Sequence, residues 1–438
     1  MIQRVMKYRP TKQDIQRFIQ DTVVPASREP VVRWMAFLSI FIVAGVGAAL
    51  VVFIKGLGVT NLTDLVPWGL WISIDLSAIA LAAGAFSVSA IAYLLRKKEL
   101  QPVAKTAVFV GFIGYSMAMM MLLLDIGRPD RFWHGFVFWN IHSPLWEVTM
   151  CVGLYFTVLT MEVIPILGHW HPVEHRFPRI SAKMVGLHRI TPVLAFIGLC
   201  LSTLHQSSLG LTYGKLVARP IWYRPWPMAI TFYVSAIIGG IALVTFISLL
   251  SSKLTPQAKV NKRVLEKMAI GVGWAVLFLL ALRWWDLMNM PVGYEPAKTE
   301  ALHILTRGRL AFNFWWLEII LGMVVPAIIL LVPFFRRNER LRMLALALVA
   351  IGVVAYRWDT NLVGQLVVYG TVPGSQVPLF TNYTPSLVEI LTGAGVIAYG
   401  LLAVTFGVRY LNVINHGEVV EAPAEAPVPA AMVPSSSR

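Results

Sequence analysis

Residues 67–86 read PWGLWISIDLSAIALAAGAF, twenty positions holding a single ionisable side chain, Asp75. At a rise of about 1.5 Å per residue, an apolar helix of that length crosses a hydrocarbon layer about 30 Å thick. Such runs recur along the chain, at 34–54, 66–95, 103–124, 145–167, 190–209, 226–250, 268–288, 312–334, 341–356 and 387–409. A backbone in hydrocarbon must satisfy its own hydrogen bonds, so each run is expected to be a helix. Trp34, Trp68, Trp71, Trp146, Trp226, Trp315 and Trp316 stand near the ends, where amphipathic rings favour the interface. The expected class is therefore an all-α integral membrane protein of about ten spans. Composition agrees: 57% of the 438 residues are hydrophobic and 13% charged, with mean hydropathy +0.69. A soluble domain carries about 25% charged residues.

The net charge of +15 raises nucleic acid as a partner, but basic residues gather in the cytoplasmic loops of membrane proteins, and none is expected here. With the N-terminus cytoplasmic, 26 Lys and Arg fall on the inner side and ten on the outer, with Arg283 inside a span. Both termini are thus expected in the cytoplasm. Three regions follow: a basic N-terminal segment over 1–33, a membrane domain over 34–411, and a Pro/Ala-rich disordered tail over 412–438. Segment 11–20, TKQDIQRFIQ, has the pattern of a short surface helix, and the first thirty residues have no apolar signal-peptide core.

Only two cysteines are present, Cys151 and Cys200, both in apolar runs and expected as small core residues. They are too few for a four-thiolate iron–sulfur cluster, and no CxxC or CxxCH motif exists. His205 is the one histidine of nine well inside a span. Membrane b haem takes two axial ligands from the bundle, so neither haem nor an iron–sulfur cluster is expected in this chain, and no metal site.

Ionisable groups in spans are costly and mark functional candidates. Asp125, Asp286 and Asp359 stand where odd-numbered helices reach the outer side, and Glu147, Glu318 and Glu389 where the next helix starts back. The texts echo one another: LLLDIGRPDRF…SPLWEV, LRWWDLMNM…FWWLEI, YRWDTNL…YTPSLVEI. The same acids equally serve as helix caps or partners of Arg128, Arg283 and Arg357. Asp75, nine residues past Val66, is expected roughly 14 Å deep, and His205 roughly 8 Å below the outer edge. Gln206, Ser207 and Ser208 give His205 a polar wall. Glu162, near the inner end of its helix, is either the start of a proton path or a side chain reaching the inner interface. Composition permits both a quinone site and an ion-coupled secondary transporter, in which buried acids bind ions.

PWGLWISIDLSAIALAAGAF, LLLDIGRPDRFWHGF (122–136), NIHSPLWEV (140–148) and LSTLHQSSLG (201–210) resemble the NrfD/PsrC superfamily, and its ten-helix HybB-like branch above all. That branch includes membrane subunits of nickel–iron hydrogenase, DsrP and alternative complex III. The resemblance covers roughly residues 30–410 and implies two four-helix bundles with extra peripheral helices, in a prokaryotic cytoplasmic membrane. It implies a haem-free subunit reacting with menaquinone or ubiquinone. A ferredoxin-like iron–sulfur subunit would dock on the periplasmic loops 125–144, 210–225, 289–311 and 357–386. The catalytic partner would be a nickel–iron hydrogenase or a molybdopterin enzyme. The resemblance carries quinone binding onto Asp75 and His205, with Trp71, His142 and Glu147 as neighbours. Proton transfer is expected of Asp125, Glu162, Asp286, Glu318 and Glu389. A transporter or a purely structural anchor stays the alternative.

Overall fold

The computed structural model describes residues 29–255, 260–292, 296–308, 310–369, 378–411 and 413–414. The surface helix expected at 11–20 and nearly all of the tail lie outside these residues. Among the described residues ten helices are long and apolar enough to cross a membrane. They are α1 (Pro30–Lys55), α2 (Leu70–Leu94), α3 (Gln101–Asp125), α4 (Pro144–Gly168), α5 (Thr191–Gly214), α6 (Pro225–Leu254), α7 (Lys262–Asn289), α8 (Asn313–Leu331), α9 (Glu339–Leu366) and α10 (Leu387–Tyr410). Proline in the first turn starts α1, α3, α4, α5 and α6, where its missing N–H costs nothing. Asparagine side chains cap α7 and α9.

Helices α2 to α5 pack around one core and α6 to α9 around another, giving the two expected four-helix bundles. The bundles join through α2, which packs on α6 and α9, and through α5 on α6. At the α2–α6 crossing Gly84 meets Ala236 and Gly240 so closely that a Cβ on either glycine would enter the other backbone. Backbone contact of this kind is what small residues permit between membrane helices. Outside both bundles, α1 and α10 pair with each other, and α10 leans on α3. The most apolar window of α2 is 89% buried, against 22% for α1. The second helix is therefore the axle of the molecule, and the first meets lipid.

Three expectations change. Helix α9 runs for 28 residues, not sixteen, so the outer loop expected at 357–386 begins only after Leu366. Arg357, Asp359, Asn361 and Gln365 are buried inside the helix, having partners in other helices, and their polarity hides the last three turns from a hydropathy reading. Arg357 consequently leaves the count of outer-loop charges. Cys200 is exposed, not part of the core, whereas Cys151 is buried. A short antiparallel hairpin, β1 (Val367–Tyr369) with β2 (Pro378–Phe380), follows α9.

Candidate functional site

Gly69, ahead of α2, lets the chain bend in from an extended approach, so the helix starts at Leu70 and Asp75 lies about 8 Å along it. The end of α9 fixes that start. Asn361 Nδ2 donates to the carbonyls of Trp68 (2.9 Å) and Gly69 (3.2 Å) and to Ser73 Oγ (3.0 Å). Gln365 Nε2 donates to Trp68 O at 2.6 Å and its Oε1 accepts from Trp68 N at 2.9 Å. Tyr213 of α5 donates to Asn361 Oδ1 at 3.1 Å. Two amides one helical turn apart thus tie three helices at the end of the first bundle where α2 begins.

Beneath this lock the bundle interior is polar and incompletely satisfied. His205 is fully buried, nine residues or about 14 Å from the C-terminal end of α5, deeper than expected. Neither of its ring nitrogens has a hydrogen-bond partner among the described residues. The same holds for Asp75 Oδ1, Gln206 Nε2 and the hydroxyls of Tyr115 and Tyr155. The Tyr115 ring lies 5.9 Å from the His205 ring and 4.5 Å from that of Tyr155, which meets Phe86 edge-on at 5.5 Å. Asp75 is within electrostatic reach of Tyr115 and of Asp125. Arg357 enters from α9, its Nη2 donating to Phe232 O (2.7 Å), Ser235 Oγ (3.2 Å) and Gln206 Oε1 (3.3 Å), its Cζ 3.7 Å above the Phe232 ring. This places a fixed cation within electrostatic reach of His205.

Buried polar groups are nearly always hydrogen-bonded, and six unsatisfied atoms gathered between four helices need a partner from outside the chain. The donors and acceptors at hand, bounded by flat aromatic faces, suit a planar molecule carrying carbonyl oxygens. They equally suit the waters that would deliver protons to it.

The other expected residues are dispersed. Trp71 is buried against α10, donating from Nε1 to Thr392 Oγ1 at 2.6 Å. His142 and Glu147 are exposed at the start of α4, apart from the buried cluster. Glu389 is a cap: its carboxylate accepts from Tyr383 Oη (2.5 Å), Ser386 N (2.9 Å) and Asn61 N (3.1 Å), completing a capping box. Asp286 and Glu318 are locked to Arg283 in the second bundle. Asp125 ends α3 with Oδ1 free, between Asp75 and Glu389. Glu162 is buried with both oxygens free, at the wall of a cavity of about 420 Å³ that Tyr93, Lys105, His169 and His188 also line. Tyr115 and Tyr155 escaped the sequence reading. Their signal was position, since membrane tyrosines belong at interfaces and these stand mid-span.

The family described as "Polysulphide reductase, NrfD" matches residues 58–369. The integral membrane subunit of menaquinone reductase from Nitratidesulfovibrio vulgaris is 33% identical over 387 residues, 87% of this chain and 91% of the relative. A probable Ni/Fe-hydrogenase 2 b-type cytochrome subunit from Escherichia coli is 26% identical over 373 residues, 82% of this chain and 86% of the relative. The protein NrfD of Escherichia coli is 25% identical over 315 residues, 69% of this chain and 96% of the relative.

Proposed function

The chain belongs to the polysulphide reductase NrfD family, and from that premise we propose that it is the quinone-reactive membrane subunit of a multisubunit respiratory oxidoreductase. The observation that carries this reading is the set of unsatisfied atoms around His205, on Asp75, Tyr115, Tyr155, His205 and Gln206. Menaquinone or ubiquinone supplies two carbonyl acceptors and a flat ring for that space. Electrons are exchanged between the quinone and an iron–sulfur subunit seated on the outer loops, where the catalytic subunit, a hydrogenase or a molybdopterin enzyme, is tethered in turn. Arg357 supplies a positive charge that favours reduction nearby. His205 holds or passes a proton through its two unpartnered ring nitrogens. Asp75 is the second proton carrier.

Two electrons entering a quinone require two protons. Two routes reach the cluster. Asp125 leads to the outer end of α3. The other route starts at Glu162, about 27 Å from the outer start of α4, on a cavity at the inner side. Tyr155 is seven residues before Glu162, on the same face two turns away, and Tyr115 follows it. The roughly 10 Å between Glu162 and Tyr155 requires ordered water, as a polar gap of that length does elsewhere. Protons drawn along this route would cross most of the membrane, which makes turnover electrogenic.

The test is His205→Ala in the intact complex. Electron exchange with quinone is expected to be lost, while assembly and the partner's activity toward artificial dyes stay. Unchanged quinone turnover in His205→Ala and Asp75→Asn would place the site elsewhere.

A further inference from the structure

In the second bundle a separate cluster of charged side chains is sealed from solvent, and its charges do not balance. Arg283 of α7 grips Glu318 of α8 through Nε (2.6 Å) and Nη2 (3.4 Å), and reaches Asp286 through Nη1 at 3.3 Å. Arg224, ahead of α6, pairs with the other oxygen of Asp286. Asp359 of α9 is the third acid. It has one hydrogen bond, accepted from Asn313 Nδ2 at 2.6 Å on Oδ1, and its Oδ2 has no partner among the described residues. Arg283, Asp286, Glu318 and Asp359 are each at most 3% exposed, and the Arg224 side chain 12%. Tyr356 adds a ring 4.8 Å from the Arg283 guanidinium and no charge.

Among the described residues two guanidinium groups therefore face three carboxyl groups. An unpaired ion in a low-dielectric interior costs several kcal/mol, and the group sheds its charge instead. Salt bridges single out the neutral acid: Glu318 and Asp286 are taken by arginines, whereas Asp359 meets an amide and, beside it, the Glu318 carboxyl. Carboxyl groups sharing one enclosed site hold one proton between them. A cavity of about 10 Å³ touches Arg224, Arg283, Asp359 and Thr360, the size of a single water with polar neighbours. The π-helical stretch Asn313–Val324 widens α8 here, bringing Asn313 and Glu318 to bear on the same partner.

We propose that Glu318 and Asp359 form a proton-binding carboxyl pair in the second bundle, with Asp359 as the acid that carries the proton and the adjoining water as its way in and out. Asp286 is then a fixed counter-ion. The site shares α9 with the first bundle, since Arg357, two residues before Asp359, points to Gln206. A proton gained or lost at Asp359 thus acts on the helix that holds the cation beside His205. The pair's existence rests on the membrane-spanning fold alone, not on a quinone reading.

Infrared difference spectra of the full-length chain in lipid nanodiscs, in H₂O and D₂O, test it without any quinone. Asp359→Asn is expected to lose one protonated-carboxyl stretching band that Asp130→Asn, a surface change, retains. Asp286→Asn is expected to lose the same band although Asp359 is intact, because removing any one acid leaves two carboxylates for two arginines. Asp359→Glu keeps the band. Should Asp359→Asn fail to accumulate, Glu318→Gln carries the same expectation. Retention of the band in Asp359→Asn overturns the site, and its retention in Asp286→Asn overturns the charge balance on which the assignment stands.

Discussion

Asp75→Asn keeps the size and one hydrogen-bonding edge of the residue while removing its exchangeable proton. General acid–base assistance is worth about 10²–10⁴ in rate, so quinone turnover is expected to fall within that range while dye-linked activity of the complex is unaffected. Tyr155→Phe deletes one unpartnered hydroxyl and leaves the ring against Tyr115 and Phe86. It is expected to slow quinone turnover together with Glu162→Gln, the pair adding little to either single change because both lie on one route. Proton uptake followed in proteoliposomes checks this, and additive losses would separate the two residues. Asp75 and His205 were legible as charges in apolar text. Tyr115 and Tyr155 were not, because a phenol counts as apolar until its hydroxyl is seen to have no partner. His142 and Glu147 face outward, apart from the buried cluster, because closeness in sequence to a helix end says nothing about the direction a side chain takes.

Helix starts and crossings carry their own expectations. Gly84→Leu or Gly240→Val puts a side chain into the facing backbone at the α2–α6 crossing. Overpacking typically costs about 1–3 kcal/mol, and here the backbone cannot rotate away, so loss of assembled protein in membranes is expected. Gly47→Val on α1 meets nothing within 4 Å and serves as the control. At the start of α10, burial, and the hydrogen bond donated to Glu389, hold the Tyr383 phenol pKa above its ordinary value. A folded-state pKa above the unfolded one gives stability that is complete below about pH 10 and is lost as pH rises toward the folded value. Tyr383→Phe is expected to lower the melting temperature at neutral pH and to flatten the alkaline decline. Equal alkaline slopes for both proteins would remove Tyr383 from that role. The ends of α9 were the least legible: the residues that lock α2 are the ones a hydropathy reading treats as loop.

For the molecule as a whole, the distribution of histidines sets a spectroscopic expectation. Among the described residues His205 is the only buried histidine, and Arg357, within electrostatic reach of it, is a guanidinium and no haem ligand. The purified chain is expected to show no haem absorption band, and a b-type spectrum would refute this. Ten spans were readable because lipid imposes a length on each helix, whereas the two bundles came only with the family resemblance. Which helix occupies the middle was not readable, since α1 and α2 are both apolar enough to span and the text does not say what surrounds either. The burial of α2 has a consequence in time. Helix α2 leaves the ribosome second, whereas α6 and α9, which cover it, end near residues 254 and 366. At 5–20 residues per second, on the order of 10–60 s pass before α9 is complete. Until α5 ends at Gly214, Asp75, Ser73 and Ser77 belong to a helix with no finished bundle to enter, and the face of α2 that meets α6 and α9 stays uncovered for longer still. The nascent chain must therefore be sheltered by the insertion machinery until α3 to α5 close around α2, and proteins truncated before α9 are the natural prey of membrane proteases.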